Sequence, residues 1–395
     1  MAEPPDLVDD LQVALDAAPP YAVMPVVEAA LREAIGALGV TLLLADYAEV
    51  ALQIFDNERR SATSTSRSVP VEGTEVGRCY RSQELTAEPV GSTWRINAPV
   101  SVRCERFGVL TVEVAEEPGD DLLAMVSQVA VVASYVVASA RRYTDVFERV
   151  RRRRRLSLAA ELQWELLPVL GYDADTFTLA GALEPAYEVG GDNFDYAIDG
   201  ERLTVSVTDA MGHGLEAALL STLVVAAMRN CRRAGEGIVE QVTVANQVLC
   251  EQFGGDTFAT VVVMSIALDT GRGHAVNAGH PQPWRHRRSS AERLPLAPDL
   301  PLGLFPDSRY HAHPMELDPG DRLVLLSDGV LEAGPSADES FGVGRFSTHL
   351  DAERALPPRE FVRQLIRRVV EHRDDSLRDD ATVLCVDWSA CPGES

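Results

Sequence analysis

Four turns in the second half of this chain each set an aspartate beside an apolar, strand-like run. Gly190-Gly191-Asp192 follows Glu188-Val189. Asp209 ends the run 203–208 and opens Asp209-Ala210-Met211-Gly212-His213-Gly214. Asp328-Gly329 closes the run 323–326, and Asp379-Asp380 opens the last run through Ala381-Thr382. A carboxylate at the tip of a buried strand is held rigidly, and a neighbouring glycine lets backbone or ligand approach closely. Several such carboxylates on one rim repel one another, and their pKa values rise. Mg2+ or Mn2+ removes that penalty, because hard divalent cations take oxygen ligands and keep bound water. Two such ions turn water into a nucleophile and clamp a phosphoryl group for in-line displacement. A single Asp-Gly turn carries little information, since both residues are common in turns. Four of them, each beside a hydrophobic run, point to a metal centre.

Composition narrows the chemistry further. The chain has 395 residues and a formal net charge of −24, and all 36 of its basic residues are arginine. Without lysine there is no P-loop or kinase phosphate clamp, and no Schiff-base or pyridoxal phosphate chemistry. The lysine-free, Ala/Arg-rich composition reads as the usage of a GC-rich genome. The acidity argues against a general nucleic-acid binder and fits a chain that holds cations or resists aggregation. Cys79, Cys104, Cys231, Cys250, Cys385 and Cys391 are scattered with no C-x-x-C pair, which suggests reduced, cytoplasmic surroundings with neither a disulfide framework nor a zinc site. The acidic, Pro-containing start is unlike a signal peptide. Residues 122–140 are uncharged and nearly long enough to span a membrane. They contain Ser127, Gln128, Ser134, Tyr135 and Ser139, and sit between Asp120-Asp121 and Arg141-Arg142, so a buried or dimer-forming helix is expected instead.

The elements that must position the carboxylates follow from periodicity. Residues 1–20 read as a loose acidic tail. Helical spacing runs over 24–38 and stops at Gly39. Strand-like runs at 40–45, 50–55, 94–102 and 108–114 surround a polar stretch at 59–68, and a long helix follows. Helix, strands, loop, strands, long helix is an α+β sensor-like order. Met125, Val129, Val132, Val136, Ser139, Tyr143, Val146 and Val150 alternate steps of four and three, which is a coiled-coil seam. A continuous helix over 121–166 would be on the order of 65–70 Å long. Its arginine run at 149–155 reads as a solvated face paired with acidic neighbours. From Phe177 onward, strand-like runs at 203–208, 260–268, 273–277, 322–327 and 382–386 alternate with helical stretches at 215–231, 238–252 and 358–372, an α+β sandwich pattern.

The second half resembles the PPM-type metal-dependent serine/threonine protein phosphatases of the bacterial SpoIIE/RsbU-like branch. The resemblance runs over about residues 160–388. Its segments are Leu162-Gln163 with Leu166-Leu167-Pro168; Pro185-Ala186 with residues 188–195; 209–214 with Ala217-Ala218; Phe258-Ala259-Thr260; Asn277-Ala278-Gly279-His280-Pro281; Leu302-Gly303-Leu304; Gly320-Asp321 and Ser327-Asp328-Gly329-Val330 with Glu332-Ala333; Phe341-Gly342; and 379–382. It implies a β-sandwich flanked by helices, with two Mn2+ or Mg2+ ions at one edge. Asp192 and Asp209 match the core ligands, Asp209 as the bridge. The Ala210 carbonyl matches another ligand position, and Asp328 and Asp379 match the later ones, with Asp380 as the alternative to Asp379. The catalytic set is then Asp192, Asp209 and Asp328, acting through a water that bridges the ions. Ser327 stands where the family usually has Tyr or Thr. No phosphate-binding Arg is evident near the start of the domain. His213 and His280 read as structural.

The first half resembles a GAF sensor domain, from its element order and from Ala98-Pro99-Val100 followed by residues 108–112, with a PAS-like sensor as the alternative. The expected division is an acidic tail at 1–20, a GAF-like domain at 21–140, a helical linker at 141–165 and a phosphatase domain at 166–390. Family members act on a phosphoserine of a STAS-type anti-sigma-factor antagonist, which implies that substrate class here. The helical seam implies a homodimer through the sensor and linker. No nucleic acid and no membrane span are expected. The rival readings are a phosphoesterase for a small molecule and a scaffold with a vestigial site.

Overall fold

Strict side-chain alternation builds the sheet of the first unit. In β1 (Gly39–Ala45), Leu42 and Leu44 face one core while Leu43 and Ala45 face another. The computed structural model describes residues 4–55, 68–184, 190–288, 290–334, 340–372 and 380–389. The chain divides into two units, Met1–Arg155 and Leu156–Ser395.

The first unit contains α1 (Pro4–Ala17), α2 (Val23–Ile35), β1, β2 (Ala51–Ile54), β3 (Ser68–Pro70), α3 (Glu75–Ser82), β4 (Thr86–Val90), β5 (Thr93–Val102), β6 (Glu105–Val114), α4 (Asp120–Ala140) and α5 (Val146–Arg151). Its six strands form one antiparallel sheet in the order β3-β2-β1-β6-β5-β4. One face packs on α1, α2 and α4 through Leu11, Leu31, Val126, Val129 and Val137. The other packs on α3 through Val76, Cys79 and Tyr80. Burial pushes the Cys79 thiol up to about 12, so it is an inert core residue.

Three sequence expectations change here. Residues 4–17 are not a loose tail. Leu11 and Leu15, one turn apart, are buried, and the acidic residues occupy the opposite side of α1. The helix expected over 24–38, α2, ends at Gly36 rather than Gly39, because Gly36 adopts the left-handed conformation (φ 64°) that closes the helix. The single helix expected over 121–166 is interrupted. α4 stops at Ala140, α5 stops where Arg152 turns extended, and Ser157 caps a new helix, α6 (Leu158–Leu166), by accepting from the Ala160 N–H. Seam residues Met125, Val129 and Val150 are buried, the latter two in the unit's own core, and Tyr143 is exposed. The arginine run does pair with acids: Arg151 with Glu148 at 3.4 Å and Arg153 with buried Asp46 at 3.5 Å.

The second unit continues with β7 (Gly171–Asp173), β8 (Phe177–Glu184), β9 (Asp192–Ile198), β10 (Arg202–Ala210), α7 (Gly214–Arg233), α8 (Ile238–Phe253), β11 (Ala259–Ala267), β12 (Arg272–Ala278), β13 (Trp284–Arg287), β14 (Ser290–Arg293), β15 (His313–Glu316), β16 (Arg322–Leu326), α9 (Asp328–Leu331), α10 (Gly342–Ala352), α11 (Pro358–Glu371) and β17 (Ala381–Trp388). One sheet has the order β15-β12-β11-β10-β9 and the other β14-β13-β16-β17-β8-β7. Phe177, Phe194, Val205, Met264, Leu325 and Leu384 fill the space between them. The outer face of the first sheet packs on α7 and α8, and that of the second on α10 and α11. Both sheets are therefore covered on both faces. That explains near-continuous apolar strands such as β11, in which Val261 and Val263 face the helices while Val262 and Met264 face the sandwich interior. Helices α4 and α7 are long and apolar enough to cross a membrane by length and composition alone. In this structure each buries one side in its own unit's core.

Candidate active site

The site forms where β9 begins and β10 ends. The two strands are antiparallel, and the register sets Asp192 directly opposite Asp209. Opposed residues share a face of the sheet with Cβ atoms about 4.5–5.5 Å apart, a placement that is unfavourable for like charges. Asp192 is buried and Asp209 half-buried. Asp380, just ahead of β17, is buried as well, and its carboxylate accepts the Gly190 N–H. Burial, then the charges of Asp209 and Asp380, hold the Asp192 carboxyl well above the usual carboxylate range, with a hydrogen bond from Ser327 opposing them.

Two glycines make this crowding sterically possible. A Cβ on Gly191 would lie 2.2 Å from the Ala210 carbonyl oxygen, and a Cβ on Gly190 would lie 2.8 Å from Asp380 Oδ2. The Ala210 N–H donates to the Gly191 carbonyl at 3.2 Å, extending the ladder past the aspartate pair. Ser327, at the end of β16, is fully buried. Its hydroxyl donates to Asp192 and accepts the Thr382 N–H at 3.0 Å, so one side chain ties the ends of β16, β9 and β17 together. Asp328 follows it at the head of α9 and is half-buried. Behind β9, Arg229 and Arg232 of α7 hold Asp195 at 2.7 and 3.0 Å.

The structure thus brings together Asp192, Asp209, Asp380 and, through its neighbour Ser327, Asp328. Asp379 and residues 185–189 lie outside the described residues. Among the described residues, no three acidic, cysteine or histidine side chains close into a complete ligand cluster. The donors present are carboxylate and carbonyl oxygens at mutually repelling distance. That donor set suits hard cations, which keep several waters rather than a full protein cage. His213 is exposed on the loop after Asp209. His280 is buried and accepts or donates at Thr260 Oγ1 (2.8 Å), and burial pushes its pKa down to about 3, so it is a neutral structural group.

Sequence reasoning assigned no site role to two residues. Ser327 counted only as a departure from a pattern. Gln163 of α6 counted only as part of a motif, yet its buried amide donates to the Gly190 carbonyl at 2.9 Å and the Asp192 carbonyl at 2.6 Å. The available signal was a polar residue inside an otherwise apolar helical face.

Residues 199–389 match the protein family described as stage II sporulation protein E (SpoIIE). The chain is 23% identical over 232 residues to phosphoserine phosphatase RsbU of Bacillus subtilis (strain 168), covering 58% of this chain and 68% of that protein. It is 26% identical over 187 residues to phosphoserine phosphatase RsbP of the same organism, covering 46% of each, so it spans about half of that relative's length. The SiaA-PP2C domain of Pseudomonas aeruginosa superposes with a TM-score of 0.50 at 21% identity, over 58% of this chain and 94% of that one. The second unit therefore carries a SpoIIE-type phosphatase domain with a PP2C-like fold.

Proposed function

We propose that this chain removes phosphate from a phosphoserine or phosphothreonine of a regulatory protein, a STAS-type anti-sigma-factor antagonist in the cytoplasm. The observation that carries this reading is the facing pair Asp192–Asp209, packed with Asp380 against its own repulsion. Asp192, Asp209, Asp328, Asp380 and the Ala210 carbonyl are the groups that would hold two Mn2+ or Mg2+ ions, with Asp379 the alternative to Asp380. Bound ions supply charge neutralisation at the phosphoryl oxygens and activation of the attacking water. The protein's own part is positional. Strand ends fix the carboxylates, Ser327 fixes the orientation of Asp192, and Gly190 and Gly191 leave the rim free of side chains. Met211, Leu215 and Leu219 are exposed beside Asp209, on the following loop and the first turns of α7, and this apolar surface suits a protein substrate. The names of RsbU and RsbP as phosphoserine phosphatases support the same substrate class.

The test is Mn2+-dependent phosphate release from a phosphorylated antagonist protein. Asp209→Asn and Asp328→Asn are each expected to lower the rate at least 100-fold. Full activity in both variants would overturn the site assignment. Turnover of a small phosphomonoester with none of the phosphoprotein would overturn the substrate class.

The first unit is read as a GAF-like sensor. Its support is the order of α2, three strands, α3, three strands and α4 around one antiparallel sheet. Homodimerisation is assigned to the outer side of α4. There Val131 and Tyr135 are exposed, and a cleft of about 360 Å³ between α1 and α4 is lined by Leu15, Val132, Val136 and Tyr143.

A further inference from the structure

Leu300 and Phe305 are 50% and 58% exposed, although the loop that carries them is fixed along its length. The Asp299 N–H donates to the Asn277 carbonyl at 2.8 Å, and Leu302 exchanges both backbone hydrogen bonds with Ala259, at 2.8 and 3.0 Å. The fully buried Asn246 of α8 grips the loop with both ends of its amide. Its Oδ1 accepts the Gly303 N–H at 2.8 Å, and its Nδ2 donates to the Phe305 carbonyl at 3.0 Å. Gly303 turns the chain with a φ of 91°, and a Cβ there would lie 2.6 Å from the Thr257 carbonyl oxygen. The Asp299 carboxylate closes the loop by accepting the His311 N–H at 2.7 Å. A scattered exposed leucine needs no explanation. Two large apolar side chains held in water by a loop this constrained are pre-organised, so little conformational freedom is lost when a partner covers them.

The loop also lies within reach of the catalytic rim. Ala259 pairs with Ala210 on one side and with Leu302 on the other, and Ala210 follows Asp209. Two strand spacings of about 4.8 Å set Leu302 about 10 Å from Ala210. A protein with its phosphoserine at Asp192–Asp209 must cover the rim around that pair. Even a transient interface of about 600 Å² a side has a radius of about 14 Å, which takes in this loop. We propose that Leu300 and Phe305 form a docking ridge for the phosphoprotein substrate, a specificity element separate from the metal-holding carboxylates. The inference rests on the reading of this chain as a phosphatase of a folded protein. The ridge selects partners that present an apolar patch beside the phosphoserine. On its other side, the Met211 N–H donates to the Phe258 carbonyl at 3.0 Å, so exposed Met211 and the ridge flank the start of β11.

Steady-state rates of the full chain are measured on a phosphorylated antagonist protein and on a small aryl phosphate, with a thermal melt and light scattering for each variant. Leu300→Ser with Phe305→Ser removes the ridge at exposed positions. Val343→Ser with Val370→Ser is the control, since both residues are exposed on α10 and α11, the helices that cover the other sheet. The expected result is a KM for the phosphoprotein about tenfold higher or more in the ridge variant, with kcat within about threefold of the parent. Its turnover of aryl phosphate, its melting temperature and its mass stay parental, and the control is parental on both substrates. A parental KM in the ridge variant, or an equal rise in the control, overturns the proposal. So does an equal loss on aryl phosphate, which would give the loop a structural role in the site. A lower mass with KM unchanged overturns it as well, and assigns the ridge to a second copy of this chain. A parent that hydrolyses aryl phosphate and no phosphoprotein overturns the protein-substrate reading itself, and the docking role with it.

Discussion

Ser327, just after β16, and His280, just after β12, are both buried polar residues, and they act in opposite ways. Ser327 bonds a group that carries charge, donating to Asp192 while accepting from Thr382. A hydrogen bond to a charged partner contributes about 1.5–3 kcal/mol. Ser327→Ala is therefore expected to lower kcat/KM on the phosphoprotein by about 10- to 100-fold, and Ser327→Thr, which keeps a hydroxyl, to lose much less. An alanine variant at parental rate removes Ser327 from the site. His280 instead depends on staying neutral. Its folded pKa is near 3 against an ordinary value of 6.5, so the unfolded chain takes up the proton first as pH falls. The stability it confers is complete above about pH 6.5 and is lost progressively down toward pH 3, at up to ~1.4 kcal/mol per pH unit. Melts across that window should show a shallower acid slope for His280→Gln than for the parent. Parallel slopes would mean that His280 is not the group responsible.

At the scale of elements, α7 begins next to Asp209 and turns two faces in different directions. Leu220, Val224 and Met228 enter the core under β10 and β11, while Leu215 and Leu219, one turn apart, stay exposed. Leu215→Glu combined with Leu219→Glu leaves that core face intact. The expected outcome is a KM for the phosphoprotein at least tenfold higher, with turnover of a small aryl phosphate unchanged. Equal losses on both substrates would place the damage in the site rather than in docking. The aspartates flanking these elements were legible in the sequence because an Asp beside Gly at the end of an apolar run is a local signal. The core strands were legible for the same reason, since β11, β16 and β17 are near-continuous apolar runs and β10 alternates Leu203, Val205 and Val207 with Thr and Ser. Gln163, Ser327 and Arg229 were not assigned roles because their meaning lies in partners far along the chain, 29, 135 and 34 residues away. α1 was hidden by its acidic outer side. The break after α4 was hidden because a four-three apolar spacing describes packing on a sheet as well as packing on a second helix.

For the whole molecule, that ambiguity decides how association should be tested. Val132 and Val136 lie on the expected seam, but both are half-buried and pack against the first unit's own core. A charge at either would disturb folding and association together. Val131 and Tyr135 are different: they are 50% and 58% exposed, next to the α1–α4 cleft, and contribute little to the monomer's interior. Charging them costs a monomer little, because exposed positions away from caps and buried networks usually shift stability by no more than about 0.5 kcal/mol. In a symmetric dimer the same patch meets its own copy, so each charge is buried and faces its like across the axis. On the proposed homodimer, Val131→Glu with Tyr135→Glu should therefore halve the mass found by light scattering, from twice the 42.9 kDa chain to one, and leave the melting temperature of dilute protein nearly unchanged. An unaltered mass in both forms moves the interface off α4. A dimer that dissociates while phosphatase activity stays constant would separate association from control of the second unit.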